Sequence, residues 1–565
     1  KLKFLVFILF AHVSCIKTII RRLLGQIIRL SVVFAVVGCS AYDDPVLPEV
    51  KSFSGVSGDE PRSVIEARRV LKRGGTAADA ATAMYFVLSV NLPSAASLGG
   101  GGVCLVFRPK SKKEAESIEV LEFFTKASID NSLNSVRPSA VPGNPMGIYA
   151  LHSRYGRLQW GELVIAGERL ARFGSEMSSV LLRDYKVVEN ALLEDKESQK
   201  IFLGKNMEKP RVGDVLVQTD LANSLSLIRS KGVKYFYGGE FAERLVRQVR
   251  KIGGTLSLED LSSYKPRWVN TVSMYFGGDF FRKHRAHFAP PPATSGIVRA
   301  HILGMLERSG SLTDSQKENA YHQMLRSSQI AFGNRNKWMK PDFTSNFSEK
   351  ILLSENYIDE LWNIGNGLKH IPTKTLFPSS PARPENPSAT SFVIVDKWGM
   401  SVSCEFTMNN NFGIGRVAPG TGIMMAATPL GVGRGSLSLG PMMIINQHSS
   451  QLLLAASSSG GVASATSLAW VVANTYLTKE ELRKSMNKAR VHHSAVPDKA
   501  YFESGVGKNI KSSLQQKGHY LASTNSIGKV NIIYCSDGLP RAPETCDVQT
   551  DSRGDGMSLS IIEQD

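Results

Sequence analysis

Asn386-Pro-Ser-Ala-Thr-Ser-Phe-Val-Ile-Val-Asp396 is a proline-led approach, a pair of small residues, and an apolar run closed by an acid. Phe392 to Val395 has the β-branched character of a buried strand, and Lys397-Trp-Gly399 is a turn, so "SFVIVDKWGMSVSCEFTM" predicts a hairpin. The hydroxyl of Thr390 stands at the start of that hairpin behind the small Ala389, after a Pro-, Ser- and charge-rich segment from Lys340 to Pro387 that predicts an exposed connector. A threonine at a strand start is ordinarily structural, so its meaning depends on what else the chain carries.

Working outward, "PRSVIEARRVLKRGGTAADAATAMYFVLSV" reads as two helices split at Gly74-Gly75, the first amphipathic and the second buried all round. Four glycines, Gly99 to Gly102, then lead into a strand without the Lys-Ser/Thr of a phosphate loop. Ser139 to about Asp260 is mainly helical, with "FAERLVRQVRKIGG" an amphipathic helix stopped by glycine. "APPPATSG" is a rigid turn before a helix, and "QLLLAASSSGGVASATSLAWVV" is a strand, a turn and a helix. "GVGRGSLSLG" at Gly431 to Gly440 lacks the strand of a dinucleotide unit and reads as a turn. A helix-rich first part is followed by a strand-led second part.

The 565 residues are 42% hydrophobic and 21% charged, the balance of a large folded chain. The net charge of +17 is spread among acids without a basic run or an aromatic-basic module, which argues against a nucleic-acid partner. Residues 1–39 read as an export leader: basic residues Lys17, Arg21, Arg22 and Arg29, then "LSVVFAVVGCS", too short to span a bilayer. Its end resembles a lipobox, so Cys39 is the expected lipid anchor and the expected location is periplasmic or membrane-anchored in a bacterial envelope. Cys535 and Cys546 bracket a polar turn suited to a disulfide, whereas Cys104 and Cys404 sit in apolar runs and read as buried thiols. No Cys/His grouping has zinc spacing, so no metal is expected.

Six segments in order, "VLKRGGTAADAATAM", "SLGGGG", "AVPGNPMGIYALHSRYGRLQW", "FYGGEFAERLVRQVRKIGGTLSLEDLSSYK", "APPPATSG" and "FVIVDKWGMSVSCEFTMNNNFGIG", resemble signatures of the gamma-glutamyltranspeptidase family of N-terminal nucleophile hydrolases. The resemblance implies an α+β fold, a four-layer αββα sandwich. It also implies a precursor that cuts itself into a large region, 40–389, and a small region, 390–565, whose fragments stay associated. The implied function is hydrolysis or acyl transfer on gamma-glutamyl or related amide bonds, with a small-molecule or peptide amide as partner and no cofactor. The chemistry needs a threonine whose hydroxyl attacks the preceding carbonyl and whose freed amine then serves as base, with backbone N–H groups holding the oxyanion.

Thr390 is the candidate nucleophile by residue type, Thr407 and Asn409 match the pair that orients it, Gly460-Gly461 matches the oxyanion turn, and Ser438 matches one of two substrate-side serines, Leu437 replacing the other. Counted back from Asp396 or Thr407, however, the family's nucleophile falls on Ala389. A one-residue offset in a strand turns the side chain to the opposite face. Phe124 stands where the family's carboxylate-binding arginine is expected, with Lys126 the nearest base, and Ala427, Thr428 and Pro429 replace its amine-binding polar cluster. Apolar groups do not compensate a zwitterion, so an amide or acyl ligand other than glutathione is expected. Two functions stay open: a self-processing transferase using Thr390, and a non-catalytic envelope protein retaining the scaffold.

Overall fold

The computed structural model describes residues 51–564 apart from 113, 130–134, 136, 205, 278–283, 313–316, 365, 366, 368, 379–387 and 430–434. The expected leader with Cys39 and most of the Gly431 turn lie outside the described residues. Thirteen strands among the described residues build two sheets: β1 Lys51–Gly58, β2 Gly101–Arg108, β3 Ser117–Phe123, β4 Arg267–Asn270, β5 Val272–Tyr275, β6 His284–Phe288, β7 Ala389–Val395, β8 Ser401–Thr407, β9 Met442–Asn446, β10 Gln451–Ser459, β11 Lys529–Leu539, β12 Cys546–Thr550 and β13 Met557–Gln564. The first sheet has the order β13-β1-β7-β8-β2-β3-β4 and the second β12-β11-β10-β9-β6-β5. The predicted hairpin is β7 and β8, antiparallel, with Val395 opposite Ser401 and Ala389 opposite Thr407.

Alternation along the strands sorts their side chains into layers. Val393 and Val395 meet Val103, Leu105, Met443, Ile445 and Ile533 between the two sheets. Phe392 and Ile394 turn the other way and pack on a helical layer that includes α1 (Pro61–Lys72), α2 (Ala77–Asn91) and α3 (Gly239–Lys251). The far face of the second sheet, Met442, Ile444, Leu454 and Ile532, is covered by α4 (Ser295–Ser309), α5 (Lys317–Trp338) and α6 (Ala463–Val472). The result is the expected αββα sandwich. α1 and α2 are the two helices read from sequence: Glu60 accepts from Ser63 N–H at 2.7 Å, Thr76 and Asp79 form a capping box, and every residue of α2 is buried.

Two expectations are corrected. Cys104 and Cys404 are bonded to each other, because β2 and β8 bring them into register with Cα atoms 4.1 Å apart, a relation across 300 residues that no spacing rule reveals. The segment from Lys340 is not merely an exposed connector: its short helices Glu349–Leu352 and Glu355–Asn363 bury Leu352, Ile358 and Leu361. Cys535 and Cys546 form the anticipated disulfide across β11 and β12.

His301 of α4 is fully buried, its Nε2 2.9 Å from the Leu352 carbonyl, and burial lowers its pKa from 6.5 to about 4. The folded state therefore disfavours the imidazolium, so stability is full above the unfolded pKa and is lost as pH falls from about 6.5 toward about 4. The slope is about 1.4 kcal/mol per pH unit. Replacing His301 with Gln is expected to flatten the pH dependence of urea unfolding by about that slope over this window.

Candidate active site

β7 begins at Ala389, and its parity fixes which group faces the space between the sheets. Ala389 packs against the inter-sheet core, and two residues on, Ser391 Oγ accepts from Nδ2 of Asn531, on the facing sheet, at 2.9 Å. Thr390 lies between them with its side chain on the opposite face; it is 1% exposed, and its hydroxyl donates to Asp59 Oδ2 at 3.1 Å. The same carboxylate oxygen accepts from Ser391 N–H at 3.0 Å and its other oxygen from Asn531 Nδ2 at 2.8 Å, so Asp59 is held from three directions.

Ser388 and Ala389 share the wall of a cavity of about 500 Å3 with Gly460 and Gly461, the turn that ends β10. Gly460 and Gly461 have φ of 103° and 68°, and a Cβ on Gly460 would stand 2.8 Å from Gly528 Cα, so glycine is required there. Thr407 reaches the site through one bond: its hydroxyl donates to the Ser388 carbonyl at 2.6 Å. Asn409, at φ 65°, donates its backbone N–H to the same Thr407 hydroxyl at 2.9 Å and its Nδ2 to the carbonyl of Ala427 at 2.6 Å. The carbonyl that precedes position 389 is thus polarised by a fixed hydroxyl, while position 389 itself carries only a methyl group.

Thr407, Asn409, Gly460 and Gly461 therefore assemble around the Ser388–Ala389 peptide, and Thr390 faces Asp59 instead. Ser438 is buried in the short turn Ser436–Ser438, where its carbonyl accepts from Ser464 Oγ at 3.0 Å; it is not on the cavity wall. Phe124 and Lys126 are also off the wall, Lys126 Nζ lying 5.2 Å from the centre of the Tyr264 ring.

Several groups at the site escaped the sequence reading. Arg137 and Lys529 bring cations to the cavity, Asp59 and Asp184 acids; burial raises the pKa of Asp184 against the opposing pull of Lys529. Next to the Gly460-Gly461 turn, Glu405 of β8 accepts from Arg299 Nη1 at 3.1 Å, Gly440 N–H at 2.7 Å and Ser458 N–H at 2.8 Å. Arg299 also donates to Ser458 Oγ at 2.6 Å, and both charged side chains are fully buried. A carboxylate within "SVSCEFT", an otherwise uncharged strand, was the available signal for this pair. Another cluster, His370, His493 and Asp498, is not part of this wall.

The gamma-glutamyltranspeptidase family model matches residues 66–428 and 433–561. The glutathione hydrolase proenzyme of Escherichia coli is 28% identical over 504 residues, covering 82% of this chain and 85% of its own. The capsule biosynthesis protein CapD proenzyme of Bacillus anthracis is 32% identical over 372 residues, 66% of this chain and 64% of its own. In fold, the cephalosporin acylase of Bacillus halodurans superposes with a TM-score of 0.76 at 22% identity, covering 92% of this chain and 98% of that one. The family model spans most of the chain and the αββα layers agree with it, so the chain belongs to the gamma-glutamyltranspeptidase family of hydrolases and transferases.

Proposed function

We propose that this chain keeps the acyl-binding half of the family's chemistry and does not form an acyl-enzyme through Thr390. The observation that carries the reading is the hydrogen bond from Thr407 Oγ1 to the Ser388 carbonyl at 2.6 Å, which prepares the bond before Ala389, not the bond before Thr390. A nucleophile is useful only where its oxygen meets a carbonyl already polarised and an oxyanion donor pair. Thr390 points to the other face of the strand, and its hydroxyl is engaged by Asp59. The ligand we infer is an amide or acyl compound with separated charges, matched by Arg137 and Lys529 on one hand and Asp59 and Asp184 on the other.

The test is denaturing electrophoresis with N-terminal sequencing of the purified chain. One uncut polypeptide is the expected result; a smaller fragment starting at Thr390, absent from a Thr390→Ala chain, overturns the proposal.

The second reading, a self-processing transferase with Thr390 as nucleophile, is favoured by one contact: Asp59 accepts the Thr390 proton at 3.1 Å and itself lines the cavity, which is an acid-hydroxyl pair beside the binding space. It requires the strand to slide by one residue at its start, giving fragments 40–389 and 390–565. Export with a lipid anchor at Cys39 remains our proposal for location; the disulfides Cys104–Cys404 and Cys535–Cys546 support an oxidising compartment.

A further inference from the structure

Of the four charged side chains on the wall of the cavity at Ser388–Ala389, two are engaged by the protein itself. Asp59 holds its three donors, and Arg137 gives Nη1 to the Ile414 carbonyl at 3.2 Å and sets Nη2 3.5 Å from Glu194 Oε2. The other two are open to a ligand. Lys529 makes no hydrogen bond or ion pair through its side chain with any described residue. Asp184 Oδ2 accepts from Ser94 Oγ at 2.7 Å, while Oδ1 has no donor among the described residues. Lys529 opens β11 opposite Ser459, the residue before Gly460, so it shares one stretch of the wall with the Gly460-Gly461 turn. The N–H groups of Gly460 and Gly461 meet no acceptor among the described residues.

Another part of the wall is the helix Ser179–Leu193, which turns Val180, Asp184, Val187, Val188 and Ala191 to the cavity, the spacing of one helical face. Four of the five are apolar, yet Val187 is 71% exposed and Ala191 is exposed as well. Val187 and Val188 lie one turn from Asp184, so the apolar strip begins beside the open carboxylate oxygen. A cavity of about 500 Å3 with such a strip and a few converging polar groups is built for a small amphiphilic molecule.

We propose that the cavity takes an N-acyl amino acid with an apolar acyl chain and a basic side chain. The inference rests on the reading that this cavity binds an amide or acyl compound with separated charges, and it assigns each part a partner. The ligand's carboxylate pairs with Lys529, its amide oxygen accepts from the Gly460 and Gly461 N–H groups, and its ammonium meets Asp184 Oδ1. The acyl chain lies along Val187, Val188 and Ala191 and takes their exposed surface out of water. A gamma-glutamyl amide, polar along its length, leaves that strip wet.

Isothermal titration of the full chain with Nα-octanoyl-lysine tests the assignment. Binding is expected, and Nα-acetyl-lysine is expected to bind at least about tenfold more weakly, having lost six methylene groups. Amidating the carboxylate, or replacing lysine with norleucine in the ligand, is expected to cost about tenfold to hundredfold each, the span of a hydrogen bond to a charged group. Lys529→Gln is expected to weaken the free acid by that factor and to leave the carboxamide unchanged; Asp184→Asn does the same for the lysine and norleucine ligands. No binding of Nα-octanoyl-lysine, or equal affinity for the octanoyl and acetyl compounds, overturns the proposal, and both are read on the wild-type chain, whatever the variants' folding. Equal losses for acid and carboxamide in Lys529→Gln overturn it too. Electrophoresis of the same sample separates this outcome from the reading beneath it: an uncut chain that does not bind sinks this inference alone, and a chain cut before Thr390 that binds sinks only the reading that Thr390 is idle.

Discussion

A chain carrying Ala389→Thr is expected to cut itself between positions 388 and 389, where the wild type is expected to stay whole. The new hydroxyl would stand opposite Thr407, on the cavity wall shared with Gly460 and Gly461, one residue past the carbonyl that Thr407 already polarises. Its oxygen adds to the Ser388 carbonyl carbon, the amide nitrogen leaves with the hydroxyl proton, and the resulting ester is opened by water to a carboxyl at Ser388 and a free amine at 389. The half-exposed wall at Ala389 leaves space for the added atoms. Adding Thr407→Ala to that chain is expected to slow cleavage about 10²-fold or more, because the carbonyl loses its fixed donor. N-terminal sequencing of the smaller fragment reads the result. A chain that stays whole would mean that the strand start, not the missing hydroxyl, prevents cleavage.

Glu405→Ala is expected to cost about 3–5 kcal/mol, the largest stability loss of any substitution considered. It strands the buried Arg299 guanidinium and leaves Gly440 N–H and Ser458 N–H without their acceptor. Burial raises the pKa of Glu405 and lowers that of Arg299, each opposed by the other's charge, so neither group tolerates losing its partner. The pair links β8 of the first sheet to β10 of the second and to α4, directly beneath the turn at Gly460. Urea unfolding followed by tryptophan fluorescence measures the loss. Replacing Arg299 and Glu405 together with apolar residues is expected to cost less than Glu405→Ala alone, since no charge is then left unpaired.

The layers were legible because burial repeats with the period of each element. "SFVIVD" alternates between two cores and reads as a strand; "TAADAATAM" is small and apolar all round and reads as a helix buried on every side. The site was legible in part: Thr407, Asn409, Gly460 and Gly461 were named as residues, and they do meet around the Ser388–Ala389 peptide. Asp59, Arg137 and Lys529 were not, since an isolated charge in a mixed sequence carries no mark of the cavity it will line.

"NPSATSFVIVD" by itself determined that a strand begins beside a threonine and an alanine, because the apolar run and the turn after it are local facts. Which of the two residues faces the cavity was decided by tertiary structure. Pairing with β8 puts Ala389 opposite Thr407, and the pleat then forces Thr390 to the other face, toward Asp59. The same holds for the Cys104–Cys404 disulfide: it depends on strand register across 300 residues and leaves no periodic trace in the chain.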